Sequence, residues 1–304
     1  MKSHRFFILL LALSLALVAT GCGGSDHSES DTTGCDTGAT TEAAAPDPCA
    51  TDQLELTSAG TLTIGTDNPA FPPWFQGPDG GPWDPTTEPT QEGYEAAVAY
   101  ELAAELGFSD DEVEWAVVPF DQSFKPGPKS FDFDINQVSY TAKRAEAVDF
   151  SDSYYDVNQA VVALESSEIA DAASIADLAD ARLGAPVGTT SYDYIVENVQ
   201  PSQEPSAYNT LNDSVAGLKA KQVDGIVVDL PTAFFITAVQ VPNGKIVGQF
   251  PAVSEQEYFG LVLAKDSPLT DCVNDALGTL RDDGTLDSLQ QEWLSDKASA
   301  PVLE

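Results

Sequence analysis

Short apolar, β-branched segments alternate with helical segments through most of the chain after residue 60. The clearest examples are a strand at 62–67 and an amphipathic helix at 94–106, which Gly107 ends as its C′ residue. Regular alternation of this kind is typical of proteins in which helices pack on sheets. The sequence therefore predicts an α/β fold.

The same patterns predict the remaining elements. Further strands are expected at 113–118, 131–138, 160–164, 183–187, 207–209, 225–230, 245–250 and 257–265, and helices at 174–181, 191–199, 211–222, 231–239, 269–281 and 286–293. A short helix that carries Arg144 is expected after the strand at 131–138. Two segments rich in Pro and Gly, 77–89 and 125–130, are expected to be surface loops.

Residues 1–21 are predicted to be a lipoprotein signal peptide. A basic start precedes an apolar run at 6–18 that is too short to span a bilayer. Residues 19–22, Ala-Thr-Gly-Cys, match a bacterial lipobox, so Cys22 is expected to carry a lipid after cleavage. An ordinary signal peptide that is cleaved elsewhere is the alternative. The sequence thus predicts an exported protein, anchored by lipid to the outer face of the cytoplasmic membrane.

Residues 22–50 are predicted to be a flexible tether. Residues 23–48 are mostly Gly, Ser, Thr, Asp and Ala, with almost nothing apolar. Such a composition buries too little apolar surface to offset the entropy of ordering the chain. About 250 residues remain for the folded part, which is enough for two lobes or one large α/β domain.

Charge and histidine content exclude several classes of function. The chain has 13 Lys and Arg against 49 Asp and Glu, a formal net charge of −36, which argues against a nucleic-acid partner. The two histidines, His4 and His27, fall in the predicted signal peptide and tether. The folded part therefore has no histidine for a catalytic triad, a general base or a zinc site, and neither a cofactor nor a metal is expected.

The most informative motif lies at 139–155, SYTAKRAEAVDFSDSYY. Thr141 is placed to cap a short helix, with Lys143 and Arg144 in its first turn. A cation beside the free N–H groups of a helix start makes an anion receptor, and an ordinary solvated turn is the alternative. The pattern SYT-x-K-R followed by AVDFSDSYY resembles the signature of bacterial extracellular solute-binding proteins, polar amino-acid-binding family (family 3), of ABC importers.

The resemblance covers nearly the whole folded region and implies a type II periplasmic-binding-protein-like fold with a ligand cleft between two lobes. Lobe 1 would combine 51–156 with 258–304, and lobe 2 would be 157–257. The chain would then cross between lobes near 156–158 and 256–259, and these crossings would form the hinge.

Several polar and aromatic residues follow predicted strands, where open α/β sheets bind ligands. The resemblance implies that Arg144, the Ser139 hydroxyl and the backbone N–H of Thr190 bind the α-carboxylate of an amino acid. It implies that Asp229 and a backbone carbonyl near Gln137 bind the α-ammonium. The candidate ligand-binding residues, including those left for the ligand side chain, are Asp67, Phe71, Phe120, Gln137, Ser139, Arg144, Thr189, Thr190, Ser191 and Asp229.

Each candidate also has a purely structural interpretation. Asp229 could serve only as a helix N-cap, 188–191 could be a capping turn, Phe120 could belong to the core, and Asp67 could cap a turn. Trp74, which follows the first strand, is expected to pack in the interior.

The function implied is that of a monomeric receptor that captures a free polar amino acid, with a basic or amide side chain, and presents it to an ABC importer. A sensor subunit would share every site residue. A dehydratase on the same scaffold would need a general acid/base, and without histidine only Asp67, Asp229 or a lysine could serve. No pair of carboxylates is assigned to chemistry, so we expect a binding protein.

Three cysteines remain after Cys22. In the resembled family the helix that carries Cys272 returns to lobe 1, where Cys49 enters just before the first strand. A disulfide between Cys49 and Cys272 is therefore expected in the oxidising exported compartment, with Cys35 free. The alternative pairing joins Cys35 to Cys49 within the tether.

Overall fold

The computed structural model describes residues 47–251, 257–294 and 300–304. The predicted signal peptide, Cys22, both histidines and Cys35 lie outside the described residues. At the end of the predicted tether, Cys49 N and Ala50 N donate to the side-chain and backbone oxygens of Asp47 at 3.0 and 3.1 Å. Nowhere in the described ranges is a helix long and apolar enough to cross a membrane.

Strands and helices alternate as expected. Among the described residues the strands are β1 Leu62–Thr66, β2 Val113–Val117, β3 Phe133–Asp134, β4 Val148–Asp156, β5 Gln159–Leu164, β6 Leu183–Pro186, β7 Ser206–Tyr208, β8 Gly225–Asp229, β9 Gly244–Gln249 and β10 Tyr258–Ala264. The helices are α1 Tyr94–Glu105, α2 Phe120–Ser123, α3 Ala142–Ala145, α4 Thr190–Tyr194, α5 Leu211–Lys219, α6 Leu230–Phe235, α7 Thr270–Asp282 and α8 Thr285–Leu294.

Two mixed five-stranded sheets organise the molecule. The first has the order β2-β1-β3-β10-β4, with β1 parallel to β2 and β3, and β10 antiparallel to β3 and β4. The second has the order β7-β6-β8-β5-β9, with β6 parallel to its neighbours and β5 antiparallel to β8 and β9. The chain passes from the first sheet to the second between β4 and β5.

Several sequence predictions differ from the observed elements. The nine-residue strand β4 was not predicted. Its sequence VDFSDSYYD does not predict a strand by itself, and the strand depends on pairing with β10. The strand predicted at 131–138 pairs only at Phe133–Asp134. The helix predicted at 174–181 is reduced to a 3₁₀ turn at Ile175–Leu178.

The C-terminal segment 300–304 packs against the second sheet, so its expected assignment to lobe 1 is wrong. Gln249 N donates to Pro301 O at 2.8 Å, and Leu303 N donates to Gln249 O at 2.9 Å. Leu303 is 1% exposed within the core beneath this sheet. Gly248 permits the approach, since a Cβ there would lie 2.8 Å from Leu303 Cγ and from Pro301 O.

The core of the first lobe extends into a segment that was expected to be only a surface loop. Trp83, within 77–89, is 1% exposed. It stacks on Phe75 with ring centroids 5.5 Å apart and meets Trp115 of β2 edge-on at 5.1 Å. The aromatic contacts fix this Pro- and Gly-rich segment to the lobe.

Cys49 and Cys272 form a disulfide across 223 residues of sequence, with their Cα atoms 5.4 Å apart. Cys272 lies near the start of α7 and is buried in the core of the first lobe. This is the pairing that the resemblance implied, and it ties the entry of the folded region to its C-terminal helices.

Candidate functional site

Arg144 bridges the loop after β3 and the turn after β6. Thr141 caps α3, with its hydroxyl accepting from Arg144 N at 3.1 Å, so the predicted helix start is confirmed. The buried guanidinium donates from Nη1 to Ser139 O at 2.6 Å and from Nη2 to Gly188 O at 2.8 Å. These bonds use two of the five N–H donors of an arginine.

The same guanidinium lies on aromatic rings. Its Cζ is 4.4 Å from the ring centroid of Phe124 and 5.6 Å from that of Phe120. Burial lowers the pKa of Arg144 to about 10, which leaves it protonated at neutral pH. Phe120 therefore lines the environment of a buried cation as well as packing on Phe124.

The loop that carries Gln137 and Ser139 is attached to α1 through Glu95. Gln137 adopts a φ of +49°, which is uncommon for a residue with a side chain. Its backbone N–H donates to Glu95 Oε1 at 2.8 Å, and its side-chain amide donates to Glu95 Oε2. The Tyr154 hydroxyl donates to Glu95 Oε1 as well. Burial raises the pKa of Glu95 to about 7, although these hydrogen bonds oppose the shift.

The Ser139 side chain contacts residues from both sides of the cleft. Its hydroxyl donates to Glu257 Oε1 at 2.6 Å and lies 3.3 Å from Thr190 Oγ1. Gln159, at the start of β5, donates from Nε2 to both carboxylate oxygens of Glu257 at 3.2 Å. Ser191 in turn donates to Gln159 Oε1 at 2.7 Å.

The turn after β6 begins α4 in the manner of a capped helix. The Thr189 hydroxyl accepts from Tyr192 N at 3.2 Å and donates to Pro186 O at 2.7 Å. Thr190 is the first helical residue, where geometry leaves the backbone N–H without an acceptor inside the helix. The structure thus places the Thr189 and Ser191 hydroxyls on protein partners.

Asp229 is a helix N-cap, which is the structural interpretation that the sequence offered for it. It caps α6, with Oδ1 accepting from Thr232 N at 2.9 Å. Burial raises the pKa of its carboxyl to about 6 against the lowering effect of the Thr232 bonds, and the charge of Glu257 adds to the increase. A buried carboxylate with a second carboxylate nearby attracts a cation.

Asp67 and Phe71 follow β1 on the other side of the cleft. Asp67 Oδ1 accepts from Asn68 N at 2.8 Å. Burial raises the pKa of the Asp67 carboxyl, while backbone hydrogen bonds from Asn68 and Phe120 oppose that rise. The Phe71 ring lies 6.3 Å from that of Phe235 on α6, so it contacts the opposite lobe.

Trp74 is buried, as the sequence predicted, and it also joins the lobes. Its ring meets Tyr94, Tyr155 and Phe259 edge-on, with centroids 5.3 to 5.9 Å apart. Its indole Nε1 donates to Thr232 Oγ1 at 3.0 Å, two residues beyond the start of α6.

A further buried acid lies behind the site, on β3. Both carboxylate oxygens of Asp134 lack a hydrogen-bond partner in the structure, as do Thr66 Oγ1 and Asn136 Nδ2. Burial raises the pKa of Asp134 well above its ordinary value, and Glu95 and Asp67 add to the shift. Within the described ranges, no group of three or more His, Cys, Asp or Glu side chains is arranged to hold a metal ion.

Sequence reasoning missed three residues that the structure brings to this cleft, namely Gln159, Glu257 and Phe124. Gln159 is the one polar residue at the head of the apolar run QAVVAL, which was a usable signal. Glu257 lies at the predicted crossing into β10 among many surface acids. Nothing in the sequence sets it apart from them.

Comparison with known proteins gives a consistent result. A family model described as bacterial extracellular solute-binding proteins, family 3, matches residues 62–296. The L-cystine-binding protein TcyJ of Escherichia coli (strain K12) is 28% identical over 239 residues, covering 77% of this chain and 82% of that protein.

Two solved structures share the architecture. An ancestral arginine-binding protein bound to glutamine is 28% identical, with a TM-score of 0.62 over 78% of this chain and 98% of its own. The ancestral amino acid-binding protein AncCDT-1, a precursor of cyclohexadienyl dehydratase, is 25% identical, with a TM-score of 0.61 over 77% and 95%. The predicted fold, two-lobed and of the type II periplasmic-binding-protein class, is confirmed.

Proposed function

The chain belongs to family 3 of the bacterial extracellular solute-binding proteins, and from that premise we propose that it binds a free polar amino acid and delivers it to an ABC importer. Curated relatives are named for binding L-cystine and arginine. The observation that carries the proposal is a pair of opposite charges in one cleft, the buried guanidinium of Arg144 and the partly buried carboxylate of Asp229, both of which lie within the influence of Glu257.

Arg144 binds the α-carboxylate in this proposal. The guanidinium is fixed by two backbone carbonyls and by the Phe124 ring, so it loses little conformational freedom when a ligand binds. Its remaining donors can form two parallel bonds to a carboxylate. The backbone N–H of Thr190, which lies in the same region as the Ser139 hydroxyl, supplies another donor.

Asp229 binds the α-ammonium. Its Oδ1 is held by Thr232 N at the start of α6, which orients the second oxygen. An ammonium ion neutralises a carboxylate whose burial otherwise disfavours ionisation. The backbone near Gln137, positioned by Glu95, offers a carbonyl as a further acceptor.

The ligand side chain lies toward Asp67, between Phe71 and Phe120. The Asp67 carboxyl has a second acidic group, Asp121, close enough to raise its pKa. Acidic surroundings favour a basic or amide side chain and disfavour an acidic one. The aromatic rings exclude water and so strengthen the charged contacts.

A dehydratase is the second candidate, favoured by the likeness to AncCDT-1. It would need an acid or base that faces the ligand. Glu95 has a suitable pKa of about 7, yet its oxygens accept from Gln137 and Tyr154 inside the lobe. This arrangement supports a structural role for Glu95 and a binding protein. A sensor subunit would use the same site.

We infer that Cys22, outside the described residues, carries the lipid that anchors the receptor to the outer face of the cytoplasmic membrane, and that the receptor acts as a monomer. Mass spectrometry of the mature N-terminus tests the anchor. A diacylglyceryl adduct on Cys22 is the expected result, and an unmodified N-terminus at another residue would contradict it.

A thermal-shift screen of the whole protein against the twenty amino acids tests the function. A ligand with micromolar affinity stabilises the protein by about 4 kcal/mol at millimolar concentration. We expect one polar amino acid, or a small group of them, to raise the melting temperature, with no chemical change in the ligand. A screen in which no amino acid shifts the transition would contradict the proposal, and turnover of the ligand would favour the dehydratase.

A further inference from the structure

Glu257 lies in the cleft between residues of both lobes, and the proposed function does not yet assign it a role. It immediately precedes β10, where the chain returns to the first sheet. Its carboxylate accepts from Ser139 on the first-lobe side and from Gln159 on the second-lobe side. The charge of Glu257 also acts on Arg144 and on Asp229, so it lies close to both of the groups assigned to the ligand.

Gln159 relates Glu257 to Asp229. Gln159 of β5 and Asp229 of β8 are paired directly opposite each other, so they lie side by side at the edge of the cleft. The side-chain amide of Gln159 then donates to Glu257, and its carbonyl accepts from Ser191. Because Ser191 fixes the orientation of the amide, Glu257 is held at the end of β5 that pairs with Asp229.

The hydrogen-bonding capacity of an ammonium group requires more than Asp229. An α-ammonium has three N–H donors. Asp229 already accepts from the backbone N–H and from the side chain of Thr232, which reduces its capacity for the ligand. A carbonyl near Gln137 is a second acceptor in the proposed function, and a third is needed on the same face of the cleft.

We propose that Glu257 is a second carboxylate of the ammonium site, with Ser139, Gln159 and Ser191 as its positioning residues. The inference rests on the proposed function and deepens it. With Asp229 and Glu257 at the ammonium and Asp67 beyond, the described cleft carries more negative than positive charge around Arg144. The site therefore selects ligands with an unmodified primary α-ammonium and favours a cationic side chain over a neutral one.

A thermodynamic cycle tests the role of Glu257. Calorimetry on the full chain compares wild type with Glu257→Gln, using arginine, histidine and glutamine as probes. Each probe is paired with its analogue that lacks the α-ammonium, namely 5-guanidinopentanoate, 3-(imidazol-4-yl)propanoate and glutaramate. The control is Glu146→Gln, which removes an exposed acid two residues from Arg144 and should leave affinity unchanged.

We expect Glu257→Gln to weaken binding of every amino acid that the wild type binds by about ten-fold or more. The analogues, which lack the contact, should bind wild type and variant equally. Glu257→Asp keeps the charge, so it should bind amino acids more tightly than Glu257→Gln does. It also replaces Glu257→Gln in the comparison with wild type if that variant does not fold.

Three outcomes would overturn the inference. Unchanged affinity would show that Glu257 does not contact the ligand, and tighter binding would show that it competes with the ligand carboxylate. An equal loss for amino acids and analogues would show that it only positions other residues. Wild-type protein that binds none of the twenty amino acids would instead refute the proposed function itself.

Discussion

Glu95 Oε1 accepts the backbone N–H of Gln137 at 2.8 Å, across 42 residues of sequence. This bond attaches α1 to the loop that presents Ser139 and precedes Arg144. The Tyr154 hydroxyl completes the environment of the same oxygen. The geometry of the proposed ligand site therefore depends on a buried carboxylate whose hydrogen bonds are to Gln137 and Tyr154.

Replacement of Glu95 should damage both stability and binding. Glu95→Gln retains the shape but replaces one accepting oxygen with an NH2 group, which faces a donor of Gln137 or Tyr154, so we expect a loss of about 1 to 3 kcal/mol in the free energy of unfolding, with weaker ligand binding. Urea denaturation and calorimetry measure the two effects. The matched change Glu92→Gln, at an exposed acid near the start of α1, should alter neither, and equal behaviour of the two variants would contradict this account.

Ligand affinity should depend on pH through Asp229. Its pKa in the folded protein is about 6, raised by burial from 3.8. The ionised form therefore costs folding stability, fully above pH 6 and not at all below about 4. In the proposed function an ammonium ligand binds that ionised form, so affinity should fall as the pH drops below 6 and level off above it. Titrations from pH 5 to 7.5 would show this, and Asp229→Asn should reduce the dependence around pH 6 while weakening binding by about 2 kcal/mol.

The C-terminal segment should stabilise the second lobe. Leu303→Ala removes a side chain that is 1% exposed, which typically costs about 2 to 5 kcal/mol. The neighbouring Val302→Ala, at a residue that is 52% exposed, is the control and should cost little. Chemical denaturation that shows equal losses for the two variants would indicate that the segment does not pack as described.

The disulfide should contribute substantially to stability. Closing a loop of 223 residues restricts the unfolded chain and is worth about 5 kcal/mol in the chain-entropy model. The double variant Cys49→Ser/Cys272→Ser should unfold at a correspondingly lower denaturant concentration. Reduction of the wild type should reproduce that shift, while Cys35→Ser should have no effect. Non-reducing peptide mapping that linked Cys35 to Cys49 would contradict the pairing.

Much of the architecture could be predicted because its signals are local. The helix at Tyr94–Glu105 and its C′ residue Gly107, with a φ of +88°, follow from periodicity and turn chemistry. Strand β4 could not be predicted in this way, since its stability comes from pairing with β10 more than 100 residues later. The segment 300–304 likewise takes its conformation from Gln249, and five residues carry no periodicity of their own.

The candidate site likewise contains residues that a local motif predicts and residues that only the folded structure identifies. Arg144 and its Thr141 cap were predicted from a compact motif, and the hydrogen bond between them is observed. Glu257 and Gln159 were missed because their importance arises from proximity in the folded molecule. A polar residue at the start of an apolar strand, as in Gln159, is the signal that could have been used.

The most direct test of the central claim is calorimetric titration of Arg144→Lys with the amino acid that the wild type binds most tightly. Lysine keeps the charge but loses the two parallel bonds, so affinity should fall by about 2 kcal/mol, or roughly thirty-fold. Arg281→Lys, at an exposed arginine that bonds Ser153 O, is the matched control and should bind as the wild type does. Wild-type affinity in Arg144→Lys would contradict the assignment of this cleft as an amino-acid site.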